Sequence, residues 1–109
     1  MNIKSFKRAF KRFADMETPV IFGDSDAPRP ISAKPPEIKG THVELFEVDA
    51  SSPCITSKQL FEHVKSLKGC DEFDLFFMPA GGGEWLVELV SPMPQNGVVY
   101  LDCNTEVLG

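Results

Sequence analysis

Residues 73–103 read FDLFFMPAGGGEWLVELVSPMPQNGVVYLDC, which is three apolar runs separated by two stretches rich in proline and glycine. The runs occupy residues 73–78, 84–90 and 98–103. Each is short and rich in aromatic, valine and leucine side chains, which is typical of strands. The second connection contains Asn96-Gly97, a dipeptide that favours a hairpin turn. Short connections join antiparallel neighbours, so the stretch predicts an antiparallel meander of three strands.

A helix is predicted immediately before this meander, over residues 57–68. Thr56 precedes it, and Gln59 follows three positions later, which is the spacing of a capping box. Apolar residues then recur at helical spacing, at Leu60, Phe61, Val64 and Leu67. Gly69 stands where a helix commonly ends in a left-handed residue.

A further strand is predicted over residues 41–49, which contain Val43, Phe46 and Val48. The core order is therefore β-α-β-β-β. The sequence predicts an α+β fold in which a mainly antiparallel four-stranded sheet is packed by one helix, with an amphipathic helix preceding it. A chain of 109 residues with 42% apolar and 25% charged residues supports a single core of this kind.

The N-terminal segment has a charge opposite to that of the remainder. The first thirteen residues carry five basic groups and no acidic one, whereas the rest of the chain carries six basic and sixteen acidic groups. The basic residues are Lys4, Lys7, Arg8, Lys11 and Arg12. They alternate with Ile3, Phe6, Phe10 and Phe13 at a spacing that predicts a basic amphipathic helix over 3–14.

Residues 18–40 hold five of the nine prolines and predict a connector. Within it, residues 20–22 favour a short edge strand. The predicted organisation is a basic helix in 1–17, a proline-rich connector in 18–40 and an α+β core in 41–109.

Alternation along the strands predicts two different sheet faces. Trp85, Val87 and Leu89 share the side that the 57–68 helix is expected to cover. The opposite side carries three acidic residues and four apolar or aromatic ones. Its members are Glu84, Leu86, Glu88, Val90, Val98, Tyr100 and Asp102. We expect the N-terminal helix to lie across this second face, with its phenylalanines on Leu86, Val90 and Tyr100, and its lysines near Glu84 and Glu88.

No catalytic constellation is evident. Cys54 lies near a helix N-terminus, a position that favours thiolate, but no cysteine-enzyme signature surrounds it. The cysteines and histidines lack the spacing of a zinc site, so neither a metal nor a cofactor is predicted. Three cysteines without a C-x-x-C pair favour reduced thiols and a cytoplasmic protein.

These features predict a small non-catalytic interaction module, an adaptor or an inhibitor, that binds another protein. The expected contact residues are the five basic residues of the N-terminal helix together with Glu84 and Glu88. No small-molecule substrate is implied. Attachment to an anionic membrane or to nucleic acid through the basic helix is an alternative. Mimicry of nucleic acid by the acidic residues is another. Similar small acidic domains occur among accessory proteins of phages and mobile elements. We therefore expect this protein to be an accessory protein of that kind.

A net charge of −5 and a pI near 4.9 argue against non-specific nucleic-acid binding by the whole molecule.

Overall fold

The computed structural model of the protein describes residues 1–23 and 28–103 and shows an α+β fold, which confirms the predicted fold class. The helices are α1 (Ile3–Phe10) and α2 (Ser57–Ser66), and a 3-10 turn (Lys11–Phe13) continues α1. The strands are β1 (Val20–Phe22), β2 (Arg29–Pro30), β3 (Glu37–Lys39), β4 (His42–Phe46), β5 (Asp74–Met78), β6 (Trp85–Leu86), β7 (Leu89–Val90) and β8 (Val99–Asp102).

The strands form two four-stranded sheets, where the sequence predicted one. The first sheet has the order β3-β4-β5-β6, and the second has the order β2-β1-β8-β7. Both are mixed, since β4 pairs with β5 and β1 pairs with β8 in parallel, while the outer pairs are antiparallel. α2 joins β4 to β5, because parallel neighbours need a long crossover connection.

The two sheets arise because the run 84–90, predicted as one strand, divides at Val87. The Val87 N–H donates to the Leu75 carbonyl of the first sheet at 2.9 Å, whereas the Glu88 N–H donates to the Asp102 carbonyl of the second sheet at 2.9 Å. Val87 itself is fully buried. The chain therefore leaves one sheet and enters the other within two residues, and the predicted alternation of faces ends there.

Trp85 and Leu89 show the consequence of this division. The sequence placed both on the buried face with Val87, but they are 40% and 47% exposed. In contrast, Val99 and Leu101 of β8 are fully buried. Because each half of the run pairs with a different sheet, no continuous face containing Glu84, Leu86, Glu88 and Val90 exists.

The proline-rich segment supplies part of both sheets. β1 and β2 belong to the second sheet and β3 to the first. β1 was expected at an edge, but it lies between β2 and β8, with Ile21 opposite Pro30 on one side and opposite Tyr100 on the other. Val20 and Phe22 are fully buried, so this short strand is part of the core.

α1 docks on its own domain through its apolar stripe. Ile3, Phe6, Phe10 and Phe13 are at most 1% exposed. The rings of Phe6 and Phe10 stack with centroids 5.0 Å apart, and Phe13 meets Phe10 edge-on at 5.3 Å. The Asn2 side chain caps the helix by accepting from the Ser5 N–H at 2.9 Å.

The docking position differs from the predicted one. The principal contacts of α1 are with α2 and β5. Lys7 pairs with Asp71 at 3.0 Å, and within residues 1–23 and 28–103 no lysine or arginine of α1 reaches Glu84 or Glu88. The expected acidic face is split between two sheets, so it offers the helix no continuous surface.

α2 begins as predicted. The Thr56 hydroxyl accepts from the Gln59 N–H at 3.2 Å, and the Gln59 side chain accepts from the Thr56 N–H at 3.0 Å, which confirms the capping box. The Met16 carbonyl accepts from the Lys58 N–H at 2.8 Å and from the Ser57 hydroxyl. The start of α2 is thereby fixed to the chain that follows α1.

One hydrophobic core joins both sheets and both helices. Phe22 of the second sheet stacks on Phe77 of the first, with ring centroids 4.6 Å apart and planes 10° apart. Trp85 meets Phe22 edge-on at 5.6 Å. In the part of the chain that the structure describes, no helix has the length and apolar character needed to cross a bilayer.

Candidate interaction surfaces

An apolar groove lies at the edge of the second sheet, where β7 and β8 meet the loop between them. Its volume is about 340 Å³. The residues that form its walls include Leu89, Val90, Pro92, Gln95, Tyr100 and Asp102. β7 is an edge strand of the described sheet, so the groove opens where the sheet has no further neighbour. We call this feature the β7–β8 groove.

The β7–β8 groove and its rim expose large apolar side chains. Leu89 in its wall is 47% exposed, and Met93, which follows the wall residue Pro92, is 65% exposed. Val90 and Tyr100 are half-buried. Concave apolar surface with a few polar groups is the usual composition of a binding site. The groove could therefore receive an apolar side chain.

One end of the groove is acidic. Leu89 lies directly opposite Asp102 in the β7–β8 pair, and Glu88 is the next residue along. Burial raises the pKa of the nearby Cys103 thiol, and the negative charges of Asp102 and Glu88 raise it further. The carboxylates thus impose a negative potential on this end of the second sheet.

The other wall of the groove is tied to the basic helix. The Arg12 guanidinium donates to the Pro92 carbonyl at 2.8 Å and to the Ala9 carbonyl at 3.3 Å. Arg12 of the predicted basic segment therefore contacts one wall of the groove, whereas Glu88 lies outside the walls, next to Leu89 in the chain. The sequence carried no direct signal for this, because Arg12 and Pro92 are 80 residues apart.

The basic face of α1 and its 3-10 turn points away from the core. Lys4, Arg8, Lys11 and Arg12 are exposed, and Lys7 is half-buried beside Asp71. Among the described residues, Lys4, Arg8 and Lys11 have no carboxylate within ion-pair distance. These three cations are available to an acidic group of a partner.

Glu84 belongs to a different place, the outer face of the first sheet. His42 Nε2 lies 2.9 Å from Glu44 Oε2 on β4. One donor atom from each of His42, Glu44 and Glu84 lies within 4.8 Å of the others, an arrangement able to hold a metal ion. The prediction that no metal binds rested on the spacing of the cysteines and histidines. The usable signal was the His-x-Glu pair, which a strand places on one face.

Cys54 is an unfavourable nucleophile. Burial raises the pKa of its thiol. The thiol also donates to the carbonyls of Val20 and Ile55 at 3.4 and 3.5 Å, which requires the protonated form. The expected benefit of a helix N-terminus is outweighed by partial burial, so the thiolate is less populated than in a free cysteine.

Cys54 should react with iodoacetamide more slowly than N-acetylcysteine at pH 7.5, because only the thiolate attacks. Since the pKa is raised, the midpoint of the rate against pH should lie above that of the free thiol. Peptide mass spectrometry after timed alkylation measures the rate, and the same protein unfolded in guanidinium is the control. A folded-state rate above that of N-acetylcysteine would show a stabilised thiolate.

No protein-family model, curated protein or solved structure matches the chain. Geometry and charge are therefore the grounds on which function is proposed.

Proposed function

We propose that the protein is a small non-catalytic interaction module that binds another protein through the β7–β8 groove. The observation that carries the proposal is the groove itself, a cavity of about 340 Å³ with Leu89 in its wall 47% exposed. Apolar surface of this kind, rimmed by polar residues, commonly marks an interaction site. As an adaptor or an inhibitor, the protein would act by occupying a surface of its partner.

The charges around the groove indicate which partner fits. An apolar side chain would fill the space between Leu89 and Tyr100. A lysine or arginine beside it would face Asp102, and an acidic residue on the other side would face Arg12. Burial of apolar area stabilises such a complex by about 25 cal/mol per Å². The charges contribute mainly to specificity and to the association rate.

Release of α1 by a partner is a costly alternative. Ile3, Phe6, Phe10 and Phe13 are all buried. Exposing them would cost about 6–12 kcal/mol, at about 1.5–3 kcal/mol for each side chain. The total stability of a domain is about 5–15 kcal/mol, so release of the helix would amount to unfolding. The proposal therefore uses the basic face of the docked helix and not its apolar stripe.

The same burial weakens the case for membrane attachment, because an interfacial helix inserts its apolar face into the bilayer. Nucleic-acid binding would rest on the exposed cations Lys4, Arg8 and Lys11. Nucleic-acid mimicry would need a continuous acidic surface, and Glu84 and Glu88 precede strands that belong to separate sheets. Protein binding through the groove is therefore the function that the geometry supports best.

Selection from a displayed peptide library tests the proposal. We expect enrichment of peptides in which a large apolar residue adjoins lysine or arginine. Leu89→Ser should weaken binding by about tenfold or more, which corresponds to about 1.4 kcal/mol. Ile38→Ser is the matched control, because Ile38 is 46% exposed and lies on β3 of the other sheet. It should change affinity by less than about twofold.

Two results would contradict the proposal. One is the absence of enriched peptides. The other is equal binding of the enriched peptides to wild type and Leu89→Ser. Amide shifts in ¹⁵N spectra locate the contact directly, and we expect them at Leu89, Gln95 and Asp102.

A further inference from the structure

We infer that His42, Glu44 and Glu84 form a binding site for a divalent transition metal of the zinc class. This site is independent of the β7–β8 groove, since it lies on the first sheet. One imidazole nitrogen and two carboxylate oxygens already lie within 4.8 Å of one another. Tetrahedral zinc holds its ligands about 2.1 Å away, so neighbouring donors are about 3.4 Å apart. His42 Nε2 and Glu44 Oε2, now 2.9 Å apart, would open by about 0.5 Å, and the wider separations would close by at most about 1.4 Å, shifts that rotation of the carboxylates can supply.

Two of the three side chains are held by the sheet. His42 and Glu44 are two residues apart on β4 and so point to the same side. The His42 ring packs edge-on against Phe76 at 5.2 Å, and Phe76 is the cross-strand neighbour of Glu44. The side chains of His42 and Glu44 are 29% and 13% exposed. A rigid, partly desolvated pair of ligands loses little freedom when a metal binds.

Glu84 completes the site from the β6 edge of the sheet, two strands away from β4. Gly82 and Gly83, in the loop before it, have φ values of +100° and +90°, a backbone that other residues rarely adopt. Glu84 is exposed, so it leaves the site open to a metal from solvent. With three protein ligands, a fourth coordination position would remain for water.

The charge balance also favours a cation. In residues 1–23 and 28–103, neither Glu44 nor Glu84 has a lysine or arginine within ion-pair distance. Lys39, the cross-strand neighbour of His42 on β3, forms an ion pair with Glu37 at 3.3 Å. Lys34 forms a second ion pair with Glu37, also at 3.3 Å. Two carboxylates that are close together repel each other, and a divalent ion would neutralise both. An imidazole with carboxylates suits zinc better than calcium or magnesium, which prefer all-oxygen sites.

Titration of the metal-free protein with Zn²⁺ against a chromophoric chelator tests the site. We expect one ion per chain. His42→Ala, Glu44→Gln and Glu84→Gln should each weaken binding by at least about tenfold, since loss of even a partner of a ligand typically costs about 10–100-fold. Asp74→Asn is the matched control. Asp74 lies opposite His42 on the same face but outside the trio and is exposed, so its removal should change affinity by less than about twofold, because an exposed charge contributes little.

Substitution with Co²⁺ separates this site from the three cysteines. We expect visible d–d bands without the intense near-ultraviolet band that a cobalt–thiolate bond produces. Glu84 is exposed, so Glu84→Gln keeps the fold and the test stays valid even if His42→Ala unfolds. Absence of Zn²⁺ binding, a thiolate band, or equal loss of affinity in Asp74→Asn and Glu84→Gln would overturn the inference.

Discussion

Replacing Phe10 with alanine lowers the free energy of unfolding by about 3–5 kcal/mol, as expected for a fully buried phenylalanine. Phe10 has no exposed surface and contacts the rings of Phe6 and Phe13. Alanine would leave a cavity between α1, the 3-10 turn and α2, and the two remaining rings could fill it only in part. Urea denaturation followed by circular dichroism measures the change.

Arg8→Ala is the control, because Arg8 is exposed on the same helix and alanine preserves helix propensity. It should alter the free energy of unfolding by less than about 0.5 kcal/mol. An unchanged stability in Phe10→Ala would show that α1 is not docked in solution. Amide hydrogen exchange provides an independent check, since a docked α1 should be protected to a degree comparable with α2.

Replacing Phe22 with alanine should cost a similar amount, about 3–5 kcal/mol. Phe22 is fully buried between Phe77 of the first sheet and Trp85, which it meets face-on and edge-on respectively. Its loss removes the aromatic contact that joins the two sheets. Because one core spans both sheets, unfolding should remain a single transition.

Phe22→Leu separates the aromatic contact from simple loss of volume. It should cost less than Phe22→Ala, at about 1.5 kcal/mol or less for a nearly volume-conserving change. Near-ultraviolet circular dichroism should report the altered environment of Trp85 in both variants. Two separate transitions for Phe22→Ala would show that the sheets are independent units, and equal stability of the two variants would show that the ring itself, and not its volume, supplies the stabilisation.

Local patterns predicted individual elements correctly where the deciding interactions lie within a few residues. The capping box of Thr56 and Gln59 forms as expected, because both hydrogen bonds connect residues three apart. The amphipathic spacing of residues 3–14 likewise predicted a helix with a buried stripe, and Phe6, Phe10 and Phe13 are buried. The α+β class followed from these elements.

Alternation failed at the run 84–90 because the pattern assumes one partner sheet. Leu89 appeared to belong with Val87 on a buried face, but the strand changes sheets between them. Long-range hydrogen bonds decide this, since Val87 bonds to Leu75 and Glu88 bonds to Asp102. No local propensity records which of two distant strands a short apolar run will join.

For the candidate sites too, the sequence identified single residues, and the tertiary structure decided which of them lie together. The sequence identified Glu84, Glu88 and the basic residues of α1 as surface residues of interest. Their grouping depends on the tertiary structure, which places Glu88 close to Asp102 and Cys103 at one end of the second sheet and Glu84 with His42 and Glu44.

By itself, then, the sequence determined the helices, most of the strands and the opposite charges of the N-terminal segment and the remainder, because spacing and capping act over a few residues. Only the tertiary structure decided that the strands form two sheets, that α1 packs on α2 and β5, and which side chains meet in the groove and the His42 cluster. These features depend on contacts between residues far apart in the chain, and such contacts are selected by the joint packing of one core.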